Sequence, residues 1–199
     1  MALLTDLEKE IVLKLFKEFH KDYNSSSIAR EIGKSRVGAF KALRSLETKG
    51  FVKGKLLGKA RFYTLNLESS FTRKTVELLL MEEANQKQRW VDEFRGLFPS
   101  ITVATLFGSM IHNEKVANDI DLLLVYPETK NAQVNDFLKE KNEILLKRIH
   151  PVKQTKEDLE NNLKRKDAVV LDALRTGVVL HGFQEWVEMI AHVASKRQG

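Results

Sequence analysis

Cysteine is absent from the chain, which excludes a disulfide framework, a cysteine-ligated zinc finger and thiol catalysis. Proline is scarce, with three in 199 residues, and none interrupts the stretch from Thr72 to Leu97. No apolar run approaches the roughly 20 residues that a membrane-spanning helix needs. The first residues, Met-Ala-Leu-Leu-Thr-Asp-Leu-Glu, lack the basic stretch and long apolar core of a secretory signal. The expected location is the cytoplasm, with no membrane partner.

What is present is ordinary for a globular protein: 43% apolar and 30% charged residues. The length suffices for one domain or two small ones. The formal net charge of +6 is unevenly placed. Residues 1–68 hold 14 Lys or Arg against 8 Asp or Glu, whereas residues 69–199 hold 19 of each. A cationic surplus confined to one third of a chain is the electrostatic footprint expected for a polyanion.

That third begins with Thr5-Asp6-Leu7-Glu8, the pattern of a capping box. Leu7, Ile11, Val12, Leu15, Phe16 and Phe19 follow at helical spacing. The polar run from Asn24 to Ser27 breaks this helix and caps a short one over Ile28–Ile32, and Gly33 supplies a turn. A third helix is expected from Ser35 to Lys49, with Val37, Phe40, Leu43 and Leu46 facing inward and Gly50 ending it. Two strand-like runs follow, Phe51–Leu57 and Arg61–Leu67, joined by Gly58-Lys59-Ala60. This order, with the phrases Ser-Ile-Ala-Arg-Glu-Ile-Gly and Leu-Glu-Thr-Lys-Gly-Phe-Val, resembles prokaryotic winged helix-turn-helix regulators. The resemblance implies that the third helix enters the major groove of double-stranded DNA while the wing touches the backbone. The DNA-binding candidates are then Ser35, Arg36, Lys41 and Arg44 on the helix, with Lys53, Lys55, Lys59 and Arg61 in the hairpin. Gly38 and Ala39 are small enough for the helix to approach closely.

From Thr72 to Leu97 the pattern reads as one long helix with Val76, Leu79, Leu80, Trp90, Phe94 and Leu97 on its apolar side, ended by Pro99. The expected organisation is residues 1–68, a linking helix over 69–98, and a second domain over 99–199. A helix so placed also offers a surface for a homodimer.

In the second domain, Leu106-Phe107-Gly108-Ser109 closes one apolar run, and Asp119-Ile120-Asp121 opens another ten residues after Ser109. In a strand, alternate side chains share a face, so Asp119 and Asp121 project together. Adjacent carboxylates are best tolerated with a cation between them, and hard oxygen ligands suit Mg²⁺. Glycine permits close backbone approach, and a serine hydroxyl can donate to a phosphate oxygen. Strands are expected at 101–107, 120–126 and 144–152, with a short helix after the Gly-Ser turn. Further helices are expected at 131–141, 156–164 and 167–175, then the run Val178–Gly182 and a last helix reaching Ala194. The fold class is α/β (α+β).

Gly-Ser, a ten-residue spacer and Asp-x-Asp between apolar runs resemble the signature of the DNA polymerase beta-like nucleotidyltransferases. The resemblance implies that Asp119 and Asp121 are catalytic and hold Mg²⁺, and that Gly108 and Ser109 cradle the phosphates of a nucleoside triphosphate. The activity implied is transfer of a nucleoside monophosphate with release of pyrophosphate. Minimal members often act as antitoxins that modify a toxin-like protein partner. The family places a third carboxylate on a following strand, but no Asp or Glu lies between Glu143 and Glu157. His150 falls in that stretch, where it reads most simply as a polar residue at a strand end. The expected function is therefore a nucleotide-responsive transcription regulator. The alternatives are an active transferase acting on a protein or RNA, or an RNA-modifying enzyme.

Overall fold

In the computed structural model, residues 3–198 are described, apart from the side chains of His112, Arg197 and Gln198. The chain is α/β and forms two compact units, Met1–Leu79 with Ile190–Gly199, and Leu80–Met189. No helix is long and apolar enough to cross a membrane among the described residues.

The first unit opens on α1 (Asp6–Lys17), where Thr5 and Glu8 satisfy each other's backbone N–H groups as a capping box. Glu8 is buried, and Lys49 donates to both of its oxygens at 2.8 and 2.9 Å. Burial opposes ionisation of Glu8, but hydrogen bonds from Lys49, Ser45 and the Thr5 backbone outweigh it and lower the pKa to about 2. A two-residue strand β1 (Tyr23–Asn24) leads into α2 (Ser25–Glu31), which Asn24 caps. Then come α3 (Arg36–Thr48), β2 (Val52–Leu57) and β3 (Ala60–Leu65). The three strands form an antiparallel sheet in the order β1-β3-β2. Gly50 follows α3 at φ +80, the left-handed position where glycine ends helices. The hairpin turn is one residue shorter than expected, because Ala60 already pairs with Leu57.

The inward face of α3 differs from expectation. Ala39, Ala42, Leu43 and Leu46 are buried, whereas Val37 and Phe40 are 64% and 51% exposed. At about 100° per residue, positions 39, 42, 43 and 46 cluster on one side of a helix. The series 37, 40, 43, 46 drifts by about 60° per step, so its ends fall on opposite sides. Ala39 therefore belongs to the core and not to the surface.

The long helix is broken. It comprises α4 (Ser70–Asn85), α5 (Gln88–Phe94) and a 3₁₀ turn at Arg95–Ser100 that contains Pro99. Backbone bonds from Gln86 to Glu83 and from Lys87 to Ala84 tighten the break, which no Gly or Pro marks. The expected apolar residues, Val76 through Leu97, are nevertheless buried.

The second unit is built on a four-stranded sheet in the order β6-β5-β4-β7, formed by β4 (Val103–Phe107), β5 (Asp119–Val125), β6 (Arg148–Gln154) and β7 (Val178–His181). β4 is antiparallel to β5 and β7, while β5 and β6 run parallel. Between them lie α6 (Ser109–His112), α7 (Asn131–Ile144), α8 (Lys156–Arg165) and α9 (Ala168–Thr176), and α10 (Phe183–Gln198) follows. The third expected strand starts late, because α7 continues through Ile144. One sheet face buries Ala104, Leu106, Ile120, Leu122 and Ile149 against Trp90, Phe94, Val134 and Leu138. Alternate residues, Thr105, Leu123 and Val125 among them, face the other side, where α8 and α9 pack.

Candidate functional site

Three strand ends meet at one corner of the second unit's sheet. β4 ends at Phe107 opposite Asp121, and β5 and β6 both begin there. Asp119 and Asp121 flank the buried Ile120 and turn to the side away from the apolar cluster. The parallel register sets His150 beside Asp121, so the imidazole shares their face. Its Nδ1 lies 3.0 Å from Asp119 Oδ2. One ligand atom from each of Asp119, Asp121 and His150 lies within 4.8 Å of the others. His150 is thus part of the cluster and not a solitary strand-end residue. It occupies the strand on which the resemblance puts a third acid.

Gly108 explains how two carboxylates and a chain reversal fit in so little space. It adopts φ +72, and a Cβ added there would overlap Asp121 Oδ2. Any other residue would be strained by its backbone and would press on the carboxylate. Ser109 follows at the start of α6 with its side chain exposed. Lys147 Nζ donates to the carbonyls of Glu114 and Ala117, which pins the loop between Ser109 and Asp119.

The electrostatics resist two negative charges. Burial raises the pKa of Asp121, the charges of Asp119 and Asp172 add to the rise, and His150 opposes it. Asp172, on α9, carries its own ion pair to Arg175 at 2.7 Å. It brings a third negative charge into the field of Asp121 without joining the ligand cluster. Two oxygens and one nitrogen converging on a small volume fit a divalent cation that completes its shell with phosphate oxygens or water.

Neither protein-family models, nor curated proteins, nor solved structures match this chain.

In the first unit the eight basic-face candidates separate into groups. Arg36, Lys41 and Arg44 are exposed along one side of α3. Ser35 caps the helix, its Oγ accepting from the Gly38 N–H at 3.1 Å. Glu47 binds two of the cations, Arg44 at 3.0 Å and Arg61 through its Nε at 3.2 Å. Hairpin alternation turns Leu56 and Arg61 toward α3, where they line an open cleft of about 760 Å³ with Arg36, Val37, Phe40 and Arg44. Lys59, at the hairpin turn, borders the same cleft. Lys53 and Lys55 lie on the hairpin's other face with Phe62 and Thr64, and Lys53 is paired with Glu68 at 2.6 Å. Strand alternation carries that information, so their separation was readable from the sequence. The hold of Glu47 on Arg61 was not, because that contact spans 14 residues.

Proposed function

We propose that this protein is a DNA-binding regulator that responds to a metal-bound nucleoside triphosphate. The first unit docks on duplex DNA as a winged helix, with α3 in the major groove and the Lys59 turn beside the backbone. The second unit holds the triphosphate through a divalent cation, Mg²⁺ or a related ion, coordinated by Asp119, Asp121 and His150. Gly108 and Ser109 face the phosphates. A duplex-DNA partner is consistent with the expected cytoplasmic location. The observation that carries this reading is the convergence of Asp119, Asp121 and His150 beside the Gly108 turn.

Sensing is favoured over catalysis because the cluster offers two carboxylates and an imidazole. Two-metal phosphoryl transfer clamps both the attacking and the leaving oxygen, which a single poorly charged site does not do. Duplex binding measured with and without Mg²⁺ and triphosphate tests the regulator. Nucleotide should shift duplex affinity in the wild type and leave the Asp119→Asn/Asp121→Asn variant unmoved. Identical affinities with and without nucleotide in the wild type would sink the regulatory link.

A second reading, an active nucleotidyltransferase, is favoured by the Asp119–His150 pair. A carboxylate orients the imidazole, whose side chain is 54% exposed and open to an acceptor hydroxyl. A positioned base contributes about 10²–10⁴-fold. Labelled triphosphate incubated with protein and RNA acceptors separates the two readings. Mg²⁺-dependent transfer that disappears in Asp119→Asn establishes the transferase in place of the sensor.

A further inference from the structure

The outward side of α3 carries Arg36, Val37, Phe40, Lys41 and Arg44, opposite the buried Ala39, Ala42, Leu43 and Leu46. Isolated surface apolar residues need no explanation. These are not isolated: Val37, Phe40 and Leu56, itself 66% exposed, line one cleft. The charges around them decide the occupant. Arg36, Lys41 and Lys59 have no ion pair among the described residues, whereas Arg44 and Arg61 share Glu47. An apolar centre with free cations beside it suits a polyanion that also presents an apolar group. In the major groove of duplex DNA that group is the C5-methyl of thymine, the apolar feature among the base edges.

We propose that Val37 and Phe40 read thymine methyl groups, making A·T pairs the specificity-determining steps in the centre of the footprint of α3. The proposal rests on the DNA-binding reading. Val37 and Phe40 are three residues apart and neighbours on the exposed side of α3, about 60° apart around its axis, so they reach neighbouring base steps. Both have few rotatable bonds, and little side-chain freedom is lost on contact. Arg36, at the start of the helix and without an ion pair, contacts a phosphate or a guanine edge beside them. Arg44 contributes less while Glu47 holds it.

The test starts with 24-base-pair duplexes with randomised centres, selected on the full chain at low salt. The tightest are then remade with uracil replacing thymine, which removes the methyl and leaves the hydrogen-bonding edges intact. Each central methyl lost should weaken binding by about 3- to 10-fold in fluorescence anisotropy. The Val37→Ala/Phe40→Ala variant should bind thymine and uracil duplexes equally. Because both residues are exposed, its thermal melt should match the wild type. Equal binding of the two duplexes by the wild type overturns the thymine proposal and leaves DNA binding standing. Failure of every duplex to bind at low salt overturns the DNA-binding reading itself. Loss of a self-associated species in Val37→Ala/Phe40→Ala, by sedimentation, with no duplex effect assigns the face to a second copy of this chain and overturns the proposal.

Discussion

Asp119, Asp121 and His150 show what one residue type changes at a fixed place. Imidazole suits the later divalent ions better than Mg²⁺, which prefers oxygen ligands throughout. The wild type should therefore gain more thermal stability from Mn²⁺ than from an equal concentration of Mg²⁺. His150→Asp restores an all-oxygen set and should narrow or reverse that difference, read as the shift in melting temperature with each chloride salt. An unchanged preference would remove His150 from the ligand set. Both aspartates were legible in the sequence, because strand alternation alone puts them on one side. His150 was visible as a residue in the right stretch, but its role depends on β6 lying parallel to β5 in one register. Asp172 was invisible, since it reaches the field of Asp121 from a helix about 50 residues further on.

At the scale of elements, α1 is held to Lys49, the residue that caps the end of α3, by an ion pair whose buried member is Glu8. Lys49→Met leaves that carboxylate with fewer partners and should destabilise the protein by about 1–3 kcal/mol near neutral pH. The pKa of Glu8 is depressed from 4.5 to about 2, so folding favours its ionised form. The stabilisation is complete above about pH 4.5 and is lost as pH falls toward 2. Chemical denaturation at several pH values should show the wild type and Lys49→Met converging across that window. A constant difference would mean that the pair acts through packing alone. The helices themselves were readable from caps and periodicity, at Thr5 and Asn24 in particular. The inward side of α3 was not. Hydrophobicity pointed to Val37 and Phe40, whereas the core there is lined by Ala39 and Ala42. The break between α4 and α5 was equally hidden, as it serves burial of Ala84 and Trp90 in one cluster and carries no breaker residue.

For the whole molecule, the cationic surplus of residues 1–68 is only partly free to meet the proposed duplex, because Glu47 pairs with Arg44 and Arg61. Glu47→Gln should free both, strengthen duplex binding at low salt and steepen the dependence of log affinity on log salt. Lys59→Ala should flatten that slope by roughly one contact. An unaltered slope in both variants would move the DNA contacts away from the α3–hairpin cleft. In the second unit, the proposed sharing of the Asp119–Asp121–His150 corner by a cation and a triphosphate is the point on which the whole reading stands. Calorimetric titration of triphosphate into the intact protein, with Mg²⁺ or Mn²⁺ and with chelator, tests it most directly. Binding is expected with metal, none with chelator, and none in Asp119→Asn/Asp121→Asn at equal fold stability. Metal-independent binding, or equal binding by that double variant, would contradict it.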